Sequence, residues 1–275
     1  MQIISFKECH TEEFKYNYED LIDCCTNFPT HAHNGWEFIF IKSGALSYSV
    51  DGKVFDIIPG SLIITRPGEI HTLTPKGSIH YERHDLIVAE QLLFDGNIAQ
   101  IPSDLHVLDL SNHRNFSNLW DKFNYYITNL EGERQEMMVR LLINELWMDL
   151  YIAAQIPSQP IASQTNEVVT KAITYIKNHI YEPLTVQDIC RTLFISPSCL
   201  YYSFTKHLNV TPKQYIIVQK LQLAHQALIN GGNPTKVCRE YGFHNYSTFY
   251  RNYQKIYGYQ PSNMTQQQLL KIDLT

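Results

Sequence analysis

Tyr241-Gly-Phe-His-Asn-Tyr-Ser-Thr-Phe-Tyr-Arg-Asn-Tyr-Gln-Lys-Ile-Tyr-Gly-Tyr-Gln-Pro261 decides how this chain folds. Val237, Tyr241, Phe243, Phe249 and Tyr253 form a packing set at helical spacing, and Gly242 marks a turn between two short helices. Tyr246, Ser247, Tyr250 and Arg251 fall on the opposite face. A short helix, a tight turn and a second helix with a polar outer face make a helix-turn-helix unit. Residues 186–208 repeat the plan. Ile189, Leu193, Ile195, Leu200 and Phe204 pack, while Ser198, Tyr201, Tyr202 and Thr205 face outward. Thr185 and Ser196 stand at N-cap positions, and Pro197 occupies a first helical position, where its missing N–H is harmless. Pro212 opens a long helix through Ile229, closed by Gly231-Gly232. Further helices are expected over Asn166–Tyr181, Thr235–Tyr241, Tyr246–Tyr257 and Pro261–Leu270. One such helix pair is common; two in register on a shared helix are specific.

Residues 166–264 resemble the DNA-binding domain of the AraC-type (arabinose regulator) family. The second unit carries the family's Gly242-Phe243, Phe249, Arg251, Lys255, Gly258 and Pro261. The first carries Leu184-Thr185, Ile189, Ser196, Leu200, Phe204, Lys206 and Pro212. The resemblance implies two recognition helices about 34 Å apart, reading successive major-groove segments of double-stranded DNA. It places base reading at Ser198, Tyr201, Tyr202, Tyr246, Ser247, Tyr250 and Arg251. Only Arg251 can pair bidentately with guanine. Lys206, Lys213 and Lys255 are candidates for phosphate contacts. Where Tyr202 stands the family often has a basic residue, a departure that points to an A·T-leaning first half-site.

Charge is divided to match. Residues 165–275 hold 11 Lys and Arg against 5 Asp and Glu, a net +6; residues 1–164 hold 11 against 22. Only the second half suits a polyanion. Residues 156–165, IPSQPIASQT, read as a linker. They separate a sensing and dimerisation domain (1–155) from a DNA-binding domain (166–275).

Residues 36–88 read as short strands. Trp36–Lys42 is aromatic and β-branched, Leu46–Val50 alternates, Asp51-Gly52 is a hairpin turn, and Val54–Ile58, Leu62–Thr65 and Ile79–Val88 follow. Phe116, Leu119, Trp120, Phe123, Ile127 and Leu130 then take helical spacing. Met138, Leu141, Leu142, Leu146, Leu150 and Tyr151 do so again after Glu131-Gly132. The expected fold class is therefore α+β and multidomain. A cupin-like β-barrel with a helical hairpin precedes an all-α domain with two helix-turn-helix units.

His31-Ala-His33, Glu37 and Gly44, then Gly60, Pro67-Gly68 and His71, resemble the two cupin motifs, with one extra residue between Gly60 and the proline. Residues 31, 33 and 37 share strand parity and so one face. Three readings stay open: contact with a sugar or other polar ligand, a divalent metal site on His31, His33, Glu37 and His71, or a structural role at the barrel mouth. The ligand candidates are His31, His33, Glu37, Tyr48 and His71, with Tyr81 and Arg83 beside them. Trp36 should point away from the barrel interior, and His80 and His84 should lie on the surface.

The six cysteines form no CxxC pair, and no signal peptide or apolar run of about 20 residues is present, which favours a reducing cytoplasm and no membrane. No P-loop, GxSxG or GxGxxG occurs. The sequence therefore reads as a transcription regulator rather than an enzyme, an activator with no resident cofactor. It would respond to a carbohydrate, with residues 1–20 as an arm and the helical hairpin relaying occupancy. A homodimer is expected, and RNA polymerase is a further candidate partner. The alternative is a metal-dependent cupin enzyme or metal sensor.

Overall fold

The computed structural model describes residues 1–25, 28–93, 101–154, 163–262 and 271–273. The first part is built of strands β1 (Gln2–His10), β2 (Phe14–Cys24), β3 (His31–His33), β4 (Trp36–Ser43), β5 (Leu46–Val50), β6 (Lys53–Ile57), β7 (Ser61–Thr65), β8 (His71–Pro75), β9 (Ile79–Val88) and β10 (Val107–Asp109). Two antiparallel sheets result. One runs β1-β2-β9-β4-β7-β10; the other runs β6-β5-β8-β3.

Strand parity explains the apolar run of β4. Ile39 and Ile41 join Leu46, Tyr48, Phe55 and Leu73 in the core between the sheets. Phe38 and Phe40 face the other way, into a second core under helices α1 (Arg114–Asn129) and α2 (Gly132–Ala154). The first sheet is thus covered on both sides, so its central strands lose the usual apolar–polar alternation. Trp36 points out of the barrel interior as expected, with its ring 6.4 Å from that of Trp147 on α2.

Two expectations are corrected here. Residues 1–20 are not a separate arm: they supply β1 and most of β2. Phe14, Tyr16 and Tyr18 are buried at every second position, and the charged residues between them disguise a strand. His84 is not on the surface. It shares a face with exposed His80, but Trp120 of α1 covers it at 5.5 Å and the Tyr16 hydroxyl bonds its Nδ1 at 2.7 Å.

The second part comprises α3 (Glu167–Asn178), α4 (Val186–Leu193), α5 (Pro197–Leu208), α6 (Pro212–Ile229), α7 (Pro234–Glu240) and α8 (Tyr246–Tyr257). Thr185 with Asp188, and Thr211 with Gln214, form reciprocal capping boxes that start α4 and α6. Ser196 accepts from the Cys199 N–H and Asn245 from the Thr248 N–H, starting α5 and α8. The long helix α6 is shared: its first half packs with α3, α4 and α5, its second with α7 and α8. Among the described residues, no helix is long and apolar enough to cross a membrane.

Residues 156–162 of the expected linker, and residues 263–270 of the last expected helix, lie outside the described residues. Residues 163–165 are not a free linker. They form β11 (Ser163–Thr165), paired with Lys53–Phe55 of β6. At the other edge of that sheet, β12 (Lys271–Asp273) pairs with His31–His33 of β3.

Candidate functional site

His31, His33 and Glu37 come together as expected, but not along one strand: a bend at residues 34–35 carries the chain from β3 in one sheet to β4 in the other, and β8 brings His71 into register opposite His31. All four side chains are buried, and their donor atoms lie within 4.8 Å of one another. Backbone carbonyls orient two of the rings: His31 Nδ1 meets Pro29 O at 2.7 Å, and His71 Nδ1 meets Glu69 O at 2.9 Å. Each of these contacts needs the proton on Nδ1, so Nε2 is the nitrogen that gains or loses a proton.

Glu37 Oε1 is 3.0 Å from His33 Nε2. Its Oε2 is 3.0 Å from His71 Nε2. Burial would raise the Glu37 carboxyl, but the His33 and His71 charges override it and hold the group well below the usual carboxylate range. Burial likewise opposes charge on His71, and Glu37 reverses that, so its pKa is raised.

The donor set fits a divalent transition ion. Three imidazoles and one carboxylate with donor atoms within 4.8 Å of one another are ligand types that suit such an ion. Imidazoles whose second nitrogen is tied to a carbonyl are the usual preparation for ligation. An ion held by His31, His33, Glu37 and His71 would supply Lewis acidity or a fixed positive charge to an effector.

Beside the cluster lies a cavity of about 240 Å³. Three paired rows of side chains form one wall: Glu37 and Ile39 on β4, Ile87, Asp85 and Arg83 on β9, and Lys15, Asn17 and Glu19 on β2. Arg83 pairs with Glu19 at 3.1 Å and Asp85 at 3.4 Å, and its guanidinium covers the Phe28 ring at 5.1 Å. Lys15, Asn17, Glu19 and Asp85 were not read from sequence; the pairing of β2 with β9 is what brings them onto the wall. Two predicted contacts fall elsewhere. Tyr48 is not on the cavity wall: it stands behind His71, with its hydroxyl bonded to Thr65 Oγ1 at 2.7 Å. Tyr81 is buried and also off the wall.

The predicted DNA-facing residues form two surfaces. Ser198, Tyr201, Tyr202 and Lys206 are exposed on α5, and the Lys206 ammonium lies 5.4 Å from the Tyr202 ring. On α8, Tyr246, Ser247, Arg251 and Lys255 are exposed and Tyr250 is half-buried. Arg251 bonds back to Ser247 O through Nε at 3.3 Å, which leaves the end of the guanidinium outward. Leu200, Phe204, Phe249 and Tyr253 hold these helices from beneath. Phe194, in the turn before α5, is 95% exposed and was not singled out in the sequence.

A polar cavity in a sheet domain, joined to two helix-turn-helix units on one long helix, defines a ligand-binding regulator of transcription. Residues 23–115 match the AraC-like ligand binding domain and residues 189–267 the Helix-turn-helix domain. The chain belongs to the AraC-type family of transcriptional regulators. It is 27% identical over 118 residues to the XylDLEGF operon transcriptional activator 1 of Pseudomonas putida, spanning 42% of this chain and 36% of that relative's length. It is 23% identical over 244 residues to the uncharacterized HTH-type transcriptional regulator YobQ of Bacillus subtilis, covering 85% of this chain and 87% of that one. A solved structure of an apo ToxT variant from Vibrio cholerae aligns over 93% of this chain and 97% of its own, at 16% identity and a TM-score of 0.39.

Proposed function

We propose that this protein is a transcriptional activator that binds double-stranded DNA through α5 and α8 and responds to a small polyhydroxy compound, a carbohydrate in kind, held in the barrel cavity. The observation that carries this reading is the cavity wall. Lys15, Asn17, Glu19, Arg83 and Asp85, with the His–Glu cluster, offer donors and acceptors on several sides. The volume lies just under the roughly 300 Å³ at which ligand pockets ordinarily begin, so the occupant is small. Its hydroxyls would meet His31, His33, Glu37 and His71.

Activation is the role named for the Pseudomonas relative. It would require contact with RNA polymerase. A homodimer is supported by α2, where Met137, Leu141, Met148 and Ile152 leave an exposed apolar stripe at helical spacing. In domain terms, residues 1–155 sense and dimerise and residues 166–275 bind DNA.

A second reading, a metal sensor on the same four ligands, rests on their donor atoms lying within 4.8 Å of one another. One experiment separates the two: elemental analysis of the purified chain with thermal-shift screening against sugars. A sugar-dependent rise in Tm without stoichiometric metal supports the effector reading, because a ligand of the native state stabilises it by mass action. Bound iron, manganese or zinc with no sugar response favours the metal reading and sinks the first.

A further inference from the structure

β3 has two faces with different owners. His31 and His33 face the cavity, whereas Ala32 between them is fully buried in a core with Val169, Ile173, Tyr215 and Ile216 of the helical half. One residue of strand separates the effector wall from the DNA-binding core, since neighbouring side chains of a strand point oppositely. The backbone continues the connection. His33 O accepts from Gln222 Nε2 of α6 at 2.8 Å. The next residue, Asn34, places its Nδ2 3.3 Å from His225 Nε2, also on α6. Gly68, whose N–H bonds His33 O at 2.9 Å, gives its own carbonyl to Gln219 Nε2 at 2.6 Å. A Cβ on Gly68 would stand 2.0 Å from Gln222 Oε1, so the helix rests directly on this backbone. Within the barrel, β3 pairs with β8 at His31 and His71; along its other edge it pairs over three residues with β12, from the far end of the chain.

We propose that β3 is the mechanical coupler between cavity and DNA-binding half: whatever engages His31 and His33 sets how firmly α6 docks, without a relay through residues 1–20 or the α1–α2 hairpin. Among the described residues, β1 pairs with β2, β2 pairs with β9, and Lys7 of β1 bonds Thr128 of α1. An occupant that fixes the two histidines fixes Ala32 and the His33 carbonyl with them, and so strengthens docking. Linkage makes the effect reciprocal: loosening α6 weakens the cavity's hold on its occupant by the same factor. The inference rests on the cavity being the effector site.

The test is amide hydrogen exchange on the full chain, comparing wild type, Glu37→Gln, Gln222→Ala and the double variant. Glu37 reaches β3 only from the cavity side and Gln222 only from the helix side. Glu37→Gln should speed exchange around residues 219–225 about tenfold, and Gln222→Ala should do the same at residues 31–34. The double variant should go no further than the larger single, the mark of a shared interaction. Amides of β4 and α2 should keep their protection, and Lys76→Ala, at an exposed turn, should change neither segment. Effects confined to the mutated half, or effects that multiply, overturn the coupler. Should Glu37→Gln fail to fold, wild type decides: in rising denaturant, residues 31–34 and α6 should open as one unit, and β3 opening with β5 and β8 apart from α6 overturns the inference. No effector is needed. Coupled exchange without any effector response would sink the cavity reading alone; a sugar-shifted Tm with independent exchange would sink the coupler alone.

Discussion

Asp51 and Tyr215 lie 164 residues apart in the chain and share a buried 2.9 Å hydrogen bond, the tyrosine hydroxyl donating to the carboxylate. Asp51 sits in the β5–β6 hairpin turn with φ +46°, a conformation that Asp and Asn tolerate better than most residues. Its other oxygen takes the Lys177 ammonium of α3 at 2.7 Å. A hairpin turn of the barrel is thereby tied to two helices of the DNA-binding half. Tyr215→Phe should destabilise the protein by about 1.5–3 kcal/mol, the range for a hydrogen bond to a charged group. Asp51→Asn keeps the turn and removes the charge. Urea unfolding of both singles and the double should show strong non-additivity; additive losses would mean that the bond carries little of the docking.

Phe194 adopts a left-handed conformation, φ +55°, at the end of α4, while its side chain is almost wholly exposed. A bulky residue there is strained by about 1–2 kcal/mol and gains nothing by burial. Phe194→Asn should therefore raise stability by about 0.5–1 kcal/mol and lift the Tm. A fall in Tm would show that the ring is held by contacts the free chain does not display.

His225 is buried in α6 beneath the Tyr257 ring, with Nδ1 2.8 Å from the Tyr253 hydroxyl, and burial pushes its pKa down to about 4. The unfolded chain takes this proton near pH 6.5, where the folded chain refuses it. The group's contribution is complete above pH 6.5 and drains away as pH falls toward 4, a loss of about 2 kcal/mol between pH 7 and pH 5. No charged group is among these partners, and Asn34 faces it from the barrel. Denaturant midpoints at pH 7 and 5 check this: His225→Gln should flatten the decline by about that amount. His84 and His106, each pushed to about 3 mainly by burial, contribute in the same direction in both proteins and cancel in the comparison.

The helical half was legible almost residue by residue, because its signals are local. Caps at Thr185, Ser196 and Thr211, prolines at first positions and a 3.6-residue period state each helix within a few neighbours. The barrel was legible where strands alternate against one core and failed where a second core intervenes. Helices α1 and α2 bury the outer face of the first sheet, so His84 sits inside at a position whose parity matches exposed His80. The cluster of His31, His33, Glu37 and His71 could be read from the motif, although the single strand assumed for its first three members is two strands of different sheets; its neighbours on β2 could not be read, because Lys15, Asn17 and Glu19 look like a solvated face until β9 is laid beside them. The docking of β3 on α6 left no local trace, since Gln219, Gln222 and Ala32 carry no pattern until the fold brings them together.

Recognition of DNA is the final expectation, and it separates two kinds of basic residue. Arg251 faces outward on α8 with only its Nε engaged, so the two terminal nitrogens remain able to bridge O6 and N7 of a guanine. Arg251→Ala should lower affinity for a duplex selected from a random pool by about 1–3 kcal/mol and relax preference at one base pair. Lys206 stands on the exposed face of α5 over the Tyr202 ring, and its point charge is expected to meet a phosphate. Lys206→Ala should weaken all sequences alike and reduce the slope of log affinity against log salt by about one. Both are read from binding isotherms at several salt concentrations on the selected duplex and single-base variants. A uniform loss for Arg251→Ala would move that residue to the phosphate class, and a base-specific loss for Lys206→Ala would show that the first unit reads sequence through its lysine.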